Sequence, residues 1–291
     1  MFIHNASAFL SAPLDVKALK EELKRHTDIY FRRVNKFVLL ALIGAHRCAR
    51  DQRIRPETAV YLATEHGNLG DTESVLFQIY RQHCLPMPYN FINTMANTAS
   101  FYVAQGLNLN GRNLSVSSQN LSFERALELL KADMDLGAVQ SALAGSVDEA
   151  TASESRFQEK SGLAMDLVNQ VDRSCWLHLK CEREGALGEV KAIRSFRGKR
   201  DGLNWLEANS REFIRPAVLS FGIAVGPEER EAWKKAVRPD GEFDYVRECG
   251  SLNATTACGV ATFIGRRQAG HLIHVNKNFQ DRYVILQVQC C

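Results

Sequence analysis

Three stretches of the chain carry side chains whose type and spacing suit chemistry. Cys175-x-x-His178-x-x-Cys181 offers zinc-type ligands at regular intervals. The stretch alternates like a strand, however, and on a strand residues 175 and 181 share one face while residue 178 points to the other. No Cys-x-x-Cys pair occurs to complete a site. The expectation is no metal, with Cys175, Leu177, Leu179 and Cys181 forming an apolar face. His271 and His274 fail by the same parity. Gly67-x-x-Gly70 stands between a strand and a helix, as a phosphate loop would, but lacks the third glycine and the Lys-Ser/Thr pair such loops use. It reads as a turn. The third stretch is Leu114-Ser-Val-Ser-Ser118, a strand running into a helix. Acyl-transfer enzymes place a nucleophile at such a junction, because the helix dipole and its free N–H groups lower a thiol's pKa. Here the junction holds Gln119 and Asn120, neither of which is a nucleophile, and no G-x-S-x-G elbow occurs.

The elements that must position these residues alternate between helix and strand. Leu14, Val16, Leu19 and Leu23 predict a helix over 14–30, and residues 33–50 form a second, more apolar one. Residues 58–64 read as a strand, 71–81 as a helix, 86–88 as a proline-marked loop and 94–106 as a helix rich in small residues. Phe123, Ala126, Leu127, Leu130 and Met134 follow one buried helical face. Residues 138–147 are a strand. Residues 174–184 and 189–196 alternate as strands and could pair through the turn at Gly185 and Gly188. A helix over 201–211, a strand over 216–222 and a helix opened by Gly226-Pro-Glu-Glu229 follow. A helix over 254–265 and a hairpin of residues 271–275 and 283–288 close the chain. This alternation predicts an α/β fold. The polar stretch 150–162 predicts a boundary between an N-terminal half, 1–150, and a C-terminal half, 151–291.

The 291 residues are 45% hydrophobic and 24% charged, a globular composition long enough for two domains. Lys and Arg outnumber Asp and Glu by 36 to 33, too small an excess to indicate nucleic-acid binding. The apolar run Phe37–Ala45 falls far short of the roughly 20 residues of a membrane span. The first residues, with His4 and Asn5, lack the layout of a signal peptide. The expectation is a cytoplasmic protein whose eight cysteines are reduced and mostly in the core, with Cys290-Cys291 in a loose tail. Lys191, Arg194, Arg197, Lys199 and Arg200 give five positive charges in ten residues, either a solvated face or a docking patch for an acidic carrier protein.

Residues 93–149 resemble the N-terminal half of β-ketoacyl synthases of the thiolase superfamily. The resemblance is carried by Asn97, the helix ending at Gly106, Gly111-Arg-Asn-Leu-Ser-Val-Ser-Ser118, the amphipathic helix and Ala142-Leu-Ala-Gly-Ser146. In an active synthase the strand reads into a cysteine that receives the acyl chain, and Asn120 occupies that position here, after Gln119. Ser220-Phe-Gly-Ile-Ala-Val225 resembles the segment of the first catalytic histidine, whose place Phe221 takes. Leu252-Asn-Ala-Thr-Thr-Ala-Cys-Gly-Val-Ala261 resembles that of the second, whose place Asn253 takes, with Glu248 for the usual lysine.

The resemblance implies a thiolase-like fold of two similar halves, with mixed sheets layered with helices as αβαβα and trimmed relative to full-length synthases. Condensation needs a thiolate and two imidazole N–H donors, and Asn120, Phe221 and Asn253 supply none of them. The resemblance therefore implies a chain length factor, a non-catalytic subunit that pairs with an active β-ketoacyl synthase in type II polyketide systems. The Pro-x-x-Phe segment before Asn97 resembles most the small synthase-like proteins of bacterial aryl polyene clusters. It implies further that Leu114, Ser115, Val116, Ser117 and Ser118 pair across a two-fold axis, and that Tyr89, Phe91, Met95 and Phe101 line or cap an acyl tunnel at that interface. An acyl carrier protein is the expected second partner, and no cofactor is implied. Two alternatives stand beside this: a diverged acyltransferase using Cys258 or Ser118, and a homodimeric acyl-binding or scaffold protein.

Overall fold

In a computed structural model that describes residues 1–150, 171–209, 213–249 and 255–290, ten strands join in one sheet. The first five are β1 (Phe2–Ser11), β2 (Ala59–Ala63), β3 (Asn113–Val116), β4 (Ser141–Asp148) and β5 (Asp172–Lys180). The second five are β6 (Gly188–Phe196), β7 (Ala217–Phe221), β8 (Gly241–Glu242), β9 (Gly270–Lys277) and β10 (Tyr283–Cys290). The order across the sheet is β3-β2-β4-β5-β1-β6-β10-β9-β7-β8. Read inward from either edge, both sets run third, second, fourth, fifth, first. In both, the second strand is parallel to the third and fourth, and the fifth is antiparallel to the fourth and first. Among the described residues, strand pairing joins the sets where Phe2 and Ile3 meet Glu189 and Gly188. On this count β5 belongs with the first set. The expected boundary at 150 borders residues 151–170, which lie outside the described residues.

Helices cover the sheet in layers, and three separate cores show which faces they take. Helices α1 (Val16–Lys24), α2 (Lys36–Ala49) and α5 (Asn97–Gly106) pack on the outer face of the first strand set. Helices α6 (Ser122–Asp135) and α10 (Thr256–Gly265) share a central core with strands of both sets. Helices α7 (Lys199–Asn209) and α8 (Pro227–Val237) cover the outer face of the second. The result is a five-layer αβαβα arrangement. Between β2 and α5 lie α3 (Leu69–Tyr80) and α4 (Pro88–Asn93), and α9 (Tyr245–Glu248) precedes α10.

Local sequence explains the central elements. Phe123, Ala126, Leu127, Leu130 and Met134 of α6 are all buried, at the i, i+3, i+4, i+7, i+11 spacing of one face. Helix α2 is buried nearly all round because it is apolar all round, and Asn35 caps it by accepting from the Val38 N–H at 2.8 Å. In β5 the alternation sends Cys175, Leu177 and Leu179 into the central core and Trp176 into the outer one.

Several elements depart from expectation. Strand β1 is central although residues 2–11 carry His4, Asn5 and Ser7, which hid it from a hydrophobic pattern. Their polar groups are met locally: His4 Nε2 by Glu182 O at 2.8 Å, Asn5 Nδ2 by Cys48 O at 2.8 Å and Ser7 Oγ by Gly44 O at 2.9 Å. Strands β5 and β6 do not pair with each other, because β1 inserts between them. Pro88 opens α4 rather than marking a loop, as proline suits a first helical turn. Cys290 is buried within β10, opposite Gly270 and Gly188, and is not in a loose tail. The expected first helix is shorter, ending at Lys24.

Candidate functional site

Strand β3 lies at the sheet edge and ends at Val116, so Ser117 and Ser118 fall beyond it, in the turn into α6. Ser122 closes this turn: its Oγ accepts from the Ser118 N–H at 2.8 Å and donates to Gln119 O. Gln119 is exposed, with its backbone in the left-handed region at φ 53°. Asn120 is half-buried.

Asn120 meets the second strand set through Asn276 of β9. The Asn276 amide donates to Asn120 O at 2.9 Å and to Glu124 Oε1 at 2.7 Å, and the Asn120 amide donates to Lys277 O. Gly222, just after Phe221, makes room for this: a Cβ there would lie 1.9 Å from Asn276 Oδ1. The structure thus brings Asn120 and the Phe221–Gly222 end of β7 together around one asparagine. Asn253 lies outside the described residues.

A buried polar row runs beneath this junction. Ser220 Oγ lies 2.8 Å from His274 Nδ1, and His274 Nε2 lies 2.9 Å from Thr256 Oγ1. The Thr256 hydroxyl donates to Glu124 Oε1 at 2.5 Å. Thr256 has one proton and gives it to Glu124. The imidazole is therefore assigned its N–H at Nε2, donating to Thr256, while Ser220 donates to Nδ1. Burial pushes His274 down to about 3 and holds Glu124 above the usual carboxylate range. The Tyr245 ring closes the row edge-on to His274, centroids 5.4 Å apart. All four side chains of the row are buried and both imidazole nitrogens are engaged. The row ties α6, α10, β7 and β9 together and offers no outward-facing base. It was not anticipated from sequence. The signal was Glu124, a charged residue beside Phe123 and Leu127 on the apolar side of α6.

The other expected residues fall on the surface. Tyr89, Phe91, Met95 and Phe101 are all exposed, Phe91 by 61%, and Phe101 packs edge-on against Tyr102. Among the described residues, eleven of the eighteen exposed large hydrophobics lie between Leu76 and Phe101, so the apolar surface is concentrated on α3, α4 and α5. Helix α5 packs beside β3, whose outer edge is unpaired among the described residues. Lys191, Arg194, Arg197 and Arg200 are exposed and Lys199 half-buried, on β6 and the start of α7. Lys191 pairs with Glu189 at 3.1 Å. Cys258 is fully buried, out of reach of a substrate as large as an acyl thioester. No helix of the described residues is long and apolar enough to cross a membrane.

A duplicated strand order, layered αβαβα, with a strand-to-helix junction facing the second set, defines the thiolase-like ketosynthase fold. Residues 6–168, more than half of the chain, match the β-ketoacyl synthase N-terminal domain, and the chain belongs to that family. Solved structures with the same fold include a β-ketoacyl synthase from Burkholderia phymatum STM815, with a TM-score of 0.75, 9% identity, and coverage of 100% of this chain and 99% of that one. The ishigamide ketosynthase/chain length factor matches with a TM-score of 0.71 and 15% identity over 99% of each chain. The ketosynthase ApeO in complex with its chain length factor ApeC, from Xenorhabdus doucetiae, matches with a TM-score of 0.57 and 12% identity, over 99% of this chain and 98% of that one. No curated protein matches by sequence.

Proposed function

We propose that this chain is a non-catalytic, chain-length-factor-type subunit. It pairs in the cytoplasm with an active β-ketoacyl synthase and shapes that enzyme's acyl tunnel in type II polyketide, aryl polyene-like, synthesis. One observation carries the reading: the junction where the family's chemistry needs a thiolate holds Asn120, its side-chain N–H donating to Lys277 O and its backbone carbonyl accepting from Asn276. An amide so held neither accepts an acyl group nor serves as a base. Solved complexes of a ketosynthase with its chain length factor share the fold, which supports pairing as the use of such a chain.

The contact surface in this reading is the β3 edge with the apolar residues of α4 and α5. Tyr89, Phe91, Met95 and Phe101 reach from it toward the partner's tunnel, and Lys191, Arg194, Arg197, Lys199 and Arg200 receive an acyl carrier protein. The test is a tagged pull-down from the native host, with intact masses of all co-eluting chains. The expected result is a stoichiometric synthase with its cysteine intact, and a lone homodimer sinks the reading. Phe91→Asp buries a charge at the contact and is expected to weaken the pairing at least about 30-fold.

Tunnel length gives a second readout. Two methylenes are worth about 1.6 kcal/mol of burial, roughly a 15-fold preference at a wall that excludes them. Tyr89→Ala is expected to shift product toward longer chains, with Asn120→Ala as a control that leaves lengths unchanged. Identical product profiles from both variants by mass spectrometry count against the tunnel role.

A further inference from the structure

Three cysteines from separate elements meet in the central core. Cys175 on β5 and Cys258 in the first turn of α10 are both fully buried, with their Sγ atoms 2.6 Å apart. Cys249, which follows α9, is buried within hydrogen-bonding reach of Cys258, and Thr255 Oγ1 lies 3.5 Å from Cys258 Sγ. The separation of the first pair decides between two uses of clustered thiols. Thiolates sharing a tetrahedral zinc ion sit about 3.8 Å apart, since each Zn–S bond is about 2.3 Å. At 2.6 Å the pair is too close for a shared ion and lies nearer the roughly 2.05 Å of a covalent bond.

The two sulfurs are also chemically unequal. Hydrogen bonds from Cys175, Cys249 and Thr255 pull the Cys258 thiol below the ordinary cysteine range, while burial pushes Cys175 above it.

We propose that Cys175 and Cys258 are a peroxide-sensitive modification site, closing reversibly to a disulfide that ties the first strand set to the second. The Cys258 thiolate attacks hydrogen peroxide. The S–O bond forms, the O–O bond breaks and hydroxide leaves, so that Cys258 becomes a sulfenic acid. The Cys175 sulfur then attacks Cys258 Sγ. The S–S bond forms, the S–O bond breaks, and the hydroxyl leaves as water with the Cys175 proton. In sum, two thiols are oxidised by two electrons and one peroxide is reduced to two waters. A cellular dithiol reverses the step by thiol exchange. The closed bond fixes α10 against β5 and so restrains Thr256, two residues away, in the row beneath Asn120.

The experiment titrates the reduced full chain with hydrogen peroxide, blocks remaining thiols with N-ethylmaleimide after denaturation, and maps links by non-reducing proteolysis and mass spectrometry. Cys84→Ser is the background, since Cys84 is exposed and oxidises on its own account. The expected result is a mass loss of about 2 Da before blocking, reversed by dithiothreitol, with the map joining Cys175 to Cys258. The unfolding midpoint rises by about 5 °C or more on oxidation. Cys249→Ser keeps the link and Cys175→Ala removes it. Should Cys175→Ala fail to fold, the map of the Cys84→Ser chain decides alone. Both thiols still reactive toward maleimide after excess peroxide, or Cys258 recovered as sulfinic acid without a link, overturns the proposal.

Discussion

Gly145→Ala is expected to lower the unfolding free energy by about 3 kcal/mol or more, a large share of the roughly 5–15 kcal/mol that holds a domain folded. Gly145 on β4 stands directly opposite Trp176 on β5. A Cβ at Gly145 would lie 2.1 to 2.5 Å from three ring atoms of the indole. The ring has nowhere to retreat, because α2 closes its other side with Gly44, where a Cβ would lie 2.6 Å from Trp176 Cδ1. The indole N–H is also committed, donating to Ser174 Oγ at 2.9 Å. Trp176 is fully buried, so the added methyl forces either the strand pair or α2 apart. Urea unfolding measures this as a drop in midpoint. Trp176→Phe, costly by itself, should recover part of the loss in the double variant, since the smaller ring vacates the space. Equal midpoints for Gly145→Ala and the parent chain would falsify the sandwich.

That sandwich also shows what was and was not legible in the sequence. The buried face of α6 could be read because its apolar residues recur at helical spacing within one element. The parity of β5 could be read because alternation is local. Strand β1 could not, because what makes it central is a set of acceptors on α2 and beyond β5, at Gly44, Cys48 and Glu182. Its insertion between β5 and β6 is a long-range pairing that no local turn signal encodes. At the candidate site, the Asn120 junction was legible because strand, turn and helix are consecutive in sequence. The row beneath it was not, since Glu124, Ser220, Thr256 and His274 come from four separate elements and converge only on folding. Gly222 and Gly145 looked like ordinary strand-end and strand glycines until their neighbours, Asn276 and Trp176, were known.

Acidification from pH 6.5 to 4 is expected to unfold the chain, with a slope set by four sealed imidazoles. Burial pushes His46 and His271 down to about 4 and His178 and His274 down to about 3, and all four are nearly or fully inaccessible. In the unfolded chain each takes up its proton near pH 6.5. The unfolded state therefore binds more protons as pH falls below 6.5. The stability these groups permit is complete above that value and is lost toward their folded values. Each contributes up to about 1.4 kcal/mol per pH unit, so the four together reach about 5 kcal/mol per unit. Glu149 opposes them. Burial raises its carboxyl from 4.5 to about 7, against the Gly70 N–H that donates to it, so the folded chain takes up that one proton first as pH falls. Its contribution is complete below 4.5 and is lost as pH rises through 7. Burial holds Glu124 above the usual carboxylate range as well, so the balance is two protons gained by the fold against four gained by the unfolded chain, and acid wins. Urea midpoints between pH 8 and 5 measure the slope. Glu149→Gln keeps an acceptor for Gly70 and removes the opposing proton, so it should stabilise the chain at pH 8 by about 2–3 kcal/mol and steepen its loss in acid. A flat profile from pH 6.5 to 5 would mean that the imidazoles protonate within the fold. The row of Ser220, His274, Thr256 and Glu124 would then be open to water, and His274, freed to exchange a proton beneath Asn120, would be a base that a non-catalytic subunit has no use for.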